Sequence, residues 1–125
     1  MPMVGVQFIV LFGSRARGTE SKNSDADVAA LADHALDMEE KADLACKIAR
    51  MLKISEDKID LVDLWNAPPL LQHRVAEEGK LLRGDPHVFI RFRVLAWKRY
   101  LDTAKFRRAR ERALAKRHAA KVSRT

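Results

Sequence analysis

With 125 residues, 47% of them hydrophobic and 33% charged, and a formal net charge of +7, the chain has the size and balance of one soluble globular domain with a heavily charged surface. Its longest apolar run, VGVQFIVLF, is too short to span a bilayer, has no basic segment before it, and leads into GSRARG, which is no signal-cleavage site. The single cysteine, Cys46, cannot close an internal disulfide, so a reducing, cytoplasmic setting with no membrane contact is expected.

Residues 4–12 are a short apolar run with β-branched and aromatic members, ended by Gly13, and read as a buried strand. A second strand is expected from Ser24 to Ala32, with Val28, Ala30 and Leu31 continuing from two aspartates. From Met38 to Leu52 the apolar positions Leu44, Ile48, Met51 and Leu52 recur at three- and four-residue spacing, as on an amphipathic helix. Asp37 is the expected N-cap of that helix, with Glu40 three residues later, and Cys46 and Ala49 fall at the edge of the stripe. KIDLVDLWN, residues 58–66, reads as a third strand closed by APP. Pro68 and Pro69 suit the start of a helix from Leu70 to Glu78, which Gly79 ends. KLLR is a short strand and GDP a turn.

From about His87 to Ala120 there is no Gly or Pro, which predicts one long helix. Its apolar residues Val88, Phe92, Leu95, Tyr100, Ala104 and Phe106 thin out after Leu114, and the last ten or so residues are expected to fray. Charge collects on this segment. Residues 1–88 carry 11 Lys and Arg against 15 Asp and Glu, whereas residues 89–125 carry 13 against Asp102 and Glu111. Such a segment suits a polyanion or an acidic protein surface, or serves as a solvated helix that aids solubility. Strands interleaved with helices predict an α/β (α+β) layer structure: a small sheet with helices on one face and the other face open for a site. The whole chain reads as a single domain, with a core at about 4–85 and a basic C-terminal helix at about 87–120.

The stretch LFGSRARGTESKNSDADVAAL, residues 11–31, carries the candidate chemistry. Nucleotidyl transfer requires that a polyphosphate be held, its charge neutralised, and the attacking oxygen aligned with phosphorus. Gly13 and Ser14 directly follow the first strand; glycine lets backbone approach a phosphate, and successive N–H groups in a turn form an anion nest. Ser14 offers a hydroxyl donor, and Arg15 or Arg17 positive charge. Asp25 and Asp27, spaced i, i+2, project to one face of a strand, where they can share one Mg²⁺ or bridge two. A third carboxylate is expected on a neighbouring strand, to complete the metal site or accept the nucleophile's proton. Asp60 and Asp63 are both available there, on opposite faces of their strand, and alternation alone does not choose between them. Each element has an ordinary counterpart, since Gly-Ser is usually just a turn and Asp-x-Asp is frequent in loops. The conjunction is what points to a site.

Gly13-Ser14, ten residues, then Asp25-Ala26-Asp27 is similar to the signature of the DNA polymerase β-like nucleotidyltransferase superfamily. The fuller string LFGSRARG…SDADVAAL, with IDLVDL, APPLL and EEGKLL downstream, resembles its minimal nucleotidyltransferase (MNT) branch over about residues 4 to 103, with YLD at 100–102 a weaker late match. The resemblance implies a mixed sheet packed against helices, ATP as substrate, and Mg²⁺, with two ions expected, held by Asp25 and Asp27. It also implies that the third carboxylate is Asp60, and that Ser14 with the Gly13 backbone contacts the nucleotide phosphates. Members of the branch are commonly encoded beside a HEPN-domain ribonuclease toxin and act as its antitoxin in a type VII toxin–antitoxin pair. Where their activity is known, they transfer AMP from ATP onto a tyrosine of the toxin. One departure is that family members usually carry a helix before the first strand. Here the strand begins almost at Met1, which implies either a truncated start or a protein that dispenses with that helix.

The expected function is therefore an AMP-transferring antitoxin whose acceptor docks as a partner protein, with a hetero-oligomer or a homodimer as the expected assembly. A binding-only antitoxin is the alternative, and an antibiotic-modifying enzyme a third, disfavoured by the absence of an appended substrate domain. RNA binding by residues 98–124 is not favoured, because that segment has few aromatics beyond Tyr100 and Phe106 for base stacking. His34, His73, His87 and His118 have no metal-ligand spacing and read as surface or capping residues.

Overall fold

The computed structural model of the chain describes residues 5–18 and 25–123. Val4 and Ser24, expected in strands, and the spacer 19–24 lie outside the described residues. The elements run β1 (Val6–Phe12), α1 (Ser14–Arg17), β2 (Ala26–Ala32), α2 (Met38–Leu52), β3 (Ile59–Asp63), α3 (Pro69–Glu78), β4 (Lys80–Gly84) and α4 (Pro86–Ser123), with a single 3₁₀ turn at Glu56–Lys58. Every expected element is present; the four-residue α1, wedged behind Gly13, is the addition.

The four strands form one mixed sheet in the order β3-β2-β1-β4. β1 is antiparallel to both β2 and β4, whereas β2 and β3 are parallel and joined through α2. Alternation along the strands sorts the core into two layers. Phe8, Val10 and Phe12 of β1, with Ala29 of β2, face Val75 and Ala76 of α3 and Phe89, Phe92 and Ala96 of α4. Ile9, Val28, Ala30 and Ala32 face the opposite way, onto Leu36 and onto Leu44 and Ile48 of α2. Helices thus cover both faces rather than one. The reason lies in β1 and β2, which are apolar at successive positions, so each needs cover on both sides.

Local signals in α2 and α3 act as their sequences imply. Asp37 caps α2 by accepting from the Glu40 N–H at 2.7 Å, and Glu40 returns the bond to the Asp37 N–H at 3.2 Å, a reciprocal capping box. Met51, expected on the buried stripe, is 39% exposed. Pro69 opens α3 and Gly79 stops it, donating to Val75 O at 2.8 Å.

The buried stripe of α4 differs from the expected one. Phe89, Phe92 and Ala96 are buried, Phe8 meeting the rings of Phe89 and Phe92 at 5.2 and 5.4 Å, while Leu95 and Phe106 are exposed. Farther along, Tyr100 stacks on His73 at 3.8 Å, and Arg99 donates to Gln72, which itself donates to Leu64 O. Arg107 lies over the Tyr100 ring at 4.0 Å, and the helix continues through Ser123, so the C-terminal turns are helical rather than frayed. No described helix is long and apolar enough to cross a membrane.

Asp63 is 8% exposed and accepts from the Leu36 N–H at 2.9 Å and the Trp65 N–H at 3.0 Å, tying the β2–α2 loop to the end of β3. Removing it strands two backbone donors, so Asp63→Ala is expected to lower the unfolding free energy by roughly 2–4 kcal/mol in denaturant titrations. His34 hydrogen-bonds Asp33 and Glu40, each at 2.6 Å, and these two carboxylates raise its pKa from 6.5 to about 9. A raised folded-state pKa means that the stabilisation is fully present below pH 6.5 and disappears as the pH rises through about 9. His34→Gln is therefore expected to melt below the parent chain at pH 6 and together with it at pH 10.

Candidate active site

The register of the sheet decides which acidic groups meet. Phe12 pairs with Asp27, and Asp27 pairs in turn with Asp60 across the parallel β2–β3 ladder. Asp27 and Asp60 consequently project from the same face, the one covered by α3 and α4, close enough for Asp60 to act on the Asp27 carboxyl. Burial is the first cause that pushes the Asp27 carboxyl above its ordinary value, and the Asp60 charge and hydrogen bond push it further. Arg74 pulls it down, and Asp25 adds a weaker upward push. Asp25 itself stands exposed just ahead of β2. Asp63 points to the opposite face and is occupied with the backbone bonds described above. The ambiguity between Asp60 and Asp63 is thus resolved geometrically: only Asp60 faces Asp27.

Gly13 follows β1 and abuts this pair. It has φ of 74° and ψ of −153°, and a Cβ there would run into Asp27 Oδ2. Both the left-handed backbone and the contact require glycine. Its carbonyl accepts from the Arg17 N–H at 3.1 Å, closing α1, and Gly18 ends that turn in the left-handed region. Ser14 and Arg15 are half-buried on α1, and Arg17 is exposed.

Two residues of α3 complete the site and were not singled out from the sequence. Arg74 lies over the Phe12 ring at 5.6 Å, close enough to Asp27 to counter its raised pKa. Glu78, one turn later, accepts from the Gly13 N–H at 3.0 Å and from Arg17 Nη1 at 2.8 Å, with Arg74 Nε at 3.4 Å. Burial pushes the Glu78 carboxyl up, but the Gly13 N–H and the Arg17 and Arg74 charges outweigh it and hold it below its ordinary value. The i, i+4 spacing of Arg74 and Glu78 was visible in the sequence; that the end of α3 lies against Gly13 was not.

The donor set suits a hard divalent cation: two adjoining carboxylates whose mutual repulsion raises one pKa, with a third acid nearby. Among the described residues, however, no three His, Cys, Asp or Glu side chains are gathered closely enough to hold a metal together. Asp27 and Asp60 are in contact, and Asp25 stands off from them.

Residues 3–86 match the polymerase beta nucleotidyltransferase family. The chain belongs to this family. Protein adenylyltransferase MntA of Shewanella oneidensis is 43% identical over 79 residues, 63% of this chain and 55% of its own length. The chain spans a little over half the length of the curated relatives it matches. Among solved structures, a toxin–antitoxin complex with AMP-PNP holds a chain 35% identical to this one, matched over 92% of this chain and 89% of that one with a TM-score of 0.75. A tri-AMPylated Shewanella oneidensis HEPN toxin in complex with an MNT antitoxin matches at 31% identity, 90% and 85% coverage, and a TM-score of 0.69. The fold is the polymerase β-like one that the motif implies, and the likeness reaches beyond the family core into α4.

Because burial persists when the Asp60 charge is removed, Asp60→Asn is expected to lower the Asp27 pKa only part of the way to its ordinary value, as read by carboxyl ¹³C titration.

Proposed function

We propose that the protein is a Mg²⁺-dependent adenylyltransferase that moves AMP from ATP onto a tyrosine of a HEPN-domain toxin, and so acts as its antitoxin. The observation that carries this reading is the Asp27–Asp60 contact beside the Gly13 turn, in a chain whose relatives include adenylyltransferases and antitoxins solved with HEPN toxins. The single cysteine and the lack of any described membrane-crossing helix fit a cytoplasmic setting.

In the reaction the tyrosine oxygen bonds to the α-phosphorus of ATP, the bond to the bridging oxygen breaks, and pyrophosphate leaves with the electron pair. Asp25, Asp27 and Asp60 would hold Mg²⁺, with two ions expected. Bound there, Mg²⁺ would neutralise phosphate charge and polarise the reacting phosphorus. The Gly13 N–H and the Ser14 hydroxyl would bind phosphate oxygens, with Arg15 and Arg17 adding charge. Asp60, at the rim of the pair, would take the tyrosine proton on a carboxylate oxygen. Asp60 is exposed near the start of β3, which leaves room for a side chain presented by another protein.

A binding-only antitoxin is the second reading. It is favoured by exposed Ile90, Val94, Trp97 and Leu101, spaced along α4 as a helix-packing stripe. The discriminating experiment incubates the protein with α-labelled ATP, Mg²⁺ and the HEPN protein encoded beside it. Label is expected on the toxin, and an Asp25→Asn, Asp27→Asn double variant is expected to lose at least about a hundredfold in rate while still folding. No transfer by the parent chain, with undiminished neutralisation by the double variant, would favour binding alone.

A further inference from the structure

The donors assigned to the nucleotide phosphates are already engaged by an acid of the same chain. Glu78 Oε2 takes the Gly13 N–H, and Glu78 Oε1 takes Arg17 Nη1. A carboxylate and a phosphate compete for the same groups, an N–H in a turn and a guanidinium. We propose that Glu78 is a built-in occupant of the phosphate turn, and that a polyphosphate binds by displacing it. This rests on the reading that the Gly13–Arg17 turn takes phosphates.

The surroundings supply both a reason for the occupant and a place for it to go. Gly13 is buried, a position where a backbone donor needs a partner and where bulk water is largely excluded. Glu78 meets that need when no nucleotide is bound. As the last residue of α3, it has a backbone pinned by the Gly79 N–H on Val75 O, while its side chain carries three rotatable bonds. Arg74, one turn back and 3.4 Å from Oε2, can keep the displaced carboxylate paired while Arg17 turns to phosphate. Glu78 therefore sets apparent polyphosphate affinity without touching the reacting atoms. A site whose competent form is open only a fraction of the time has its affinity reduced by that fraction.

The test is titration with tripolyphosphate by calorimetry, with the Gly13 amide followed by NMR. If Glu78 occupies the turn about nine-tenths of the time, Glu78→Gln is expected to bind tripolyphosphate about tenfold more tightly than the parent chain. The Gly13 amide should move on mutation and move again on binding. Glu77→Gln makes the same charge change one residue away, where the side chain pairs with His73 instead, and is expected to change affinity less than about twofold. Should Glu78→Gln melt early, Glu78→Asp keeps the charge one methylene short and is expected to fall between the two. Equal or weaker binding by the Glu78 variants makes the residue a brace for the turn and overturns the proposal. An equal gain in Glu77→Gln overturns it too, since that is a general charge effect. Failure of every variant to bind tripolyphosphate would instead remove the phosphate role of the turn, and with it this inference. Tight binding without AMP transfer would spare the inference and defeat only the transferase reading.

Discussion

Two carboxyl groups, Asp27 and Asp60, are held in contact at the end of a parallel strand pair, where their charges oppose the arrangement. Burial and the neighbouring Asp60 charge together push the Asp27 carboxyl above its ordinary value. The rest of the sheet is arranged so that this contact is enforced. The β2–β3 ladder pairs the two residues directly, and Leu61 and Val62, next along β3, are packed against the two opposite core layers, so a one-residue slip would turn both out of place. Gly13 then lies against Asp27 in a conformation that only glycine adopts easily, which ties the Gly13–Arg17 turn to the carboxylates.

α3 is the second organiser. Its buried side, Val75 and Ala76, packs onto Phe8, Val10 and Phe12, and so fixes where the other side of the helix ends. That placement brings Arg74 over Phe12 and Glu78 onto Gly13, giving the site a cation and an anion that belong to neither the turn nor the aspartate motif. α4 in turn clamps α3 through Phe89 and Phe92, the Tyr100–His73 stack and the Arg99–Gln72–Leu64 chain of hydrogen bonds. Core packing, rather than any local preference of Glu78, therefore decides what meets the Gly13–Arg17 turn.

Most element positions were legible because their signals are local. The Asp37–Glu40 box, the Pro68-Pro69 start, the Gly79 stop and the glycine after β1 each act within a few residues. Phe106 is exposed because a helix of 38 residues extends past the sheet that it covers, whereas Leu95, between the buried Phe92 and Ala96, lies on another side of the helix. Periodicity identifies an apolar face but cannot say where the partner surface stops. The second cover of the sheet, by α2, is not legible for a related reason: the apolar run of β1 marks a buried strand but does not say which element lies against each side.

The sequence by itself determined the strand–turn–Asp-x-Asp order, the small α/β fold, the acidic core and basic C-terminal helix, and through its motifs the family. Spacing left Asp60 and Asp63 equal and the resemblance implied Asp60, but only the tertiary structure supplies the reason: Asp60 pairs with Asp27 on one face, whereas Asp63 is buried on the other. It alone set Asp63 to bridging the Leu36 and Trp65 backbones. The same holds for Arg74 and Glu78, which are 61 and 65 residues from Gly13. Their approach depends on how α3 packs across the sheet, and nothing in the local chemistry of either segment encodes that meeting.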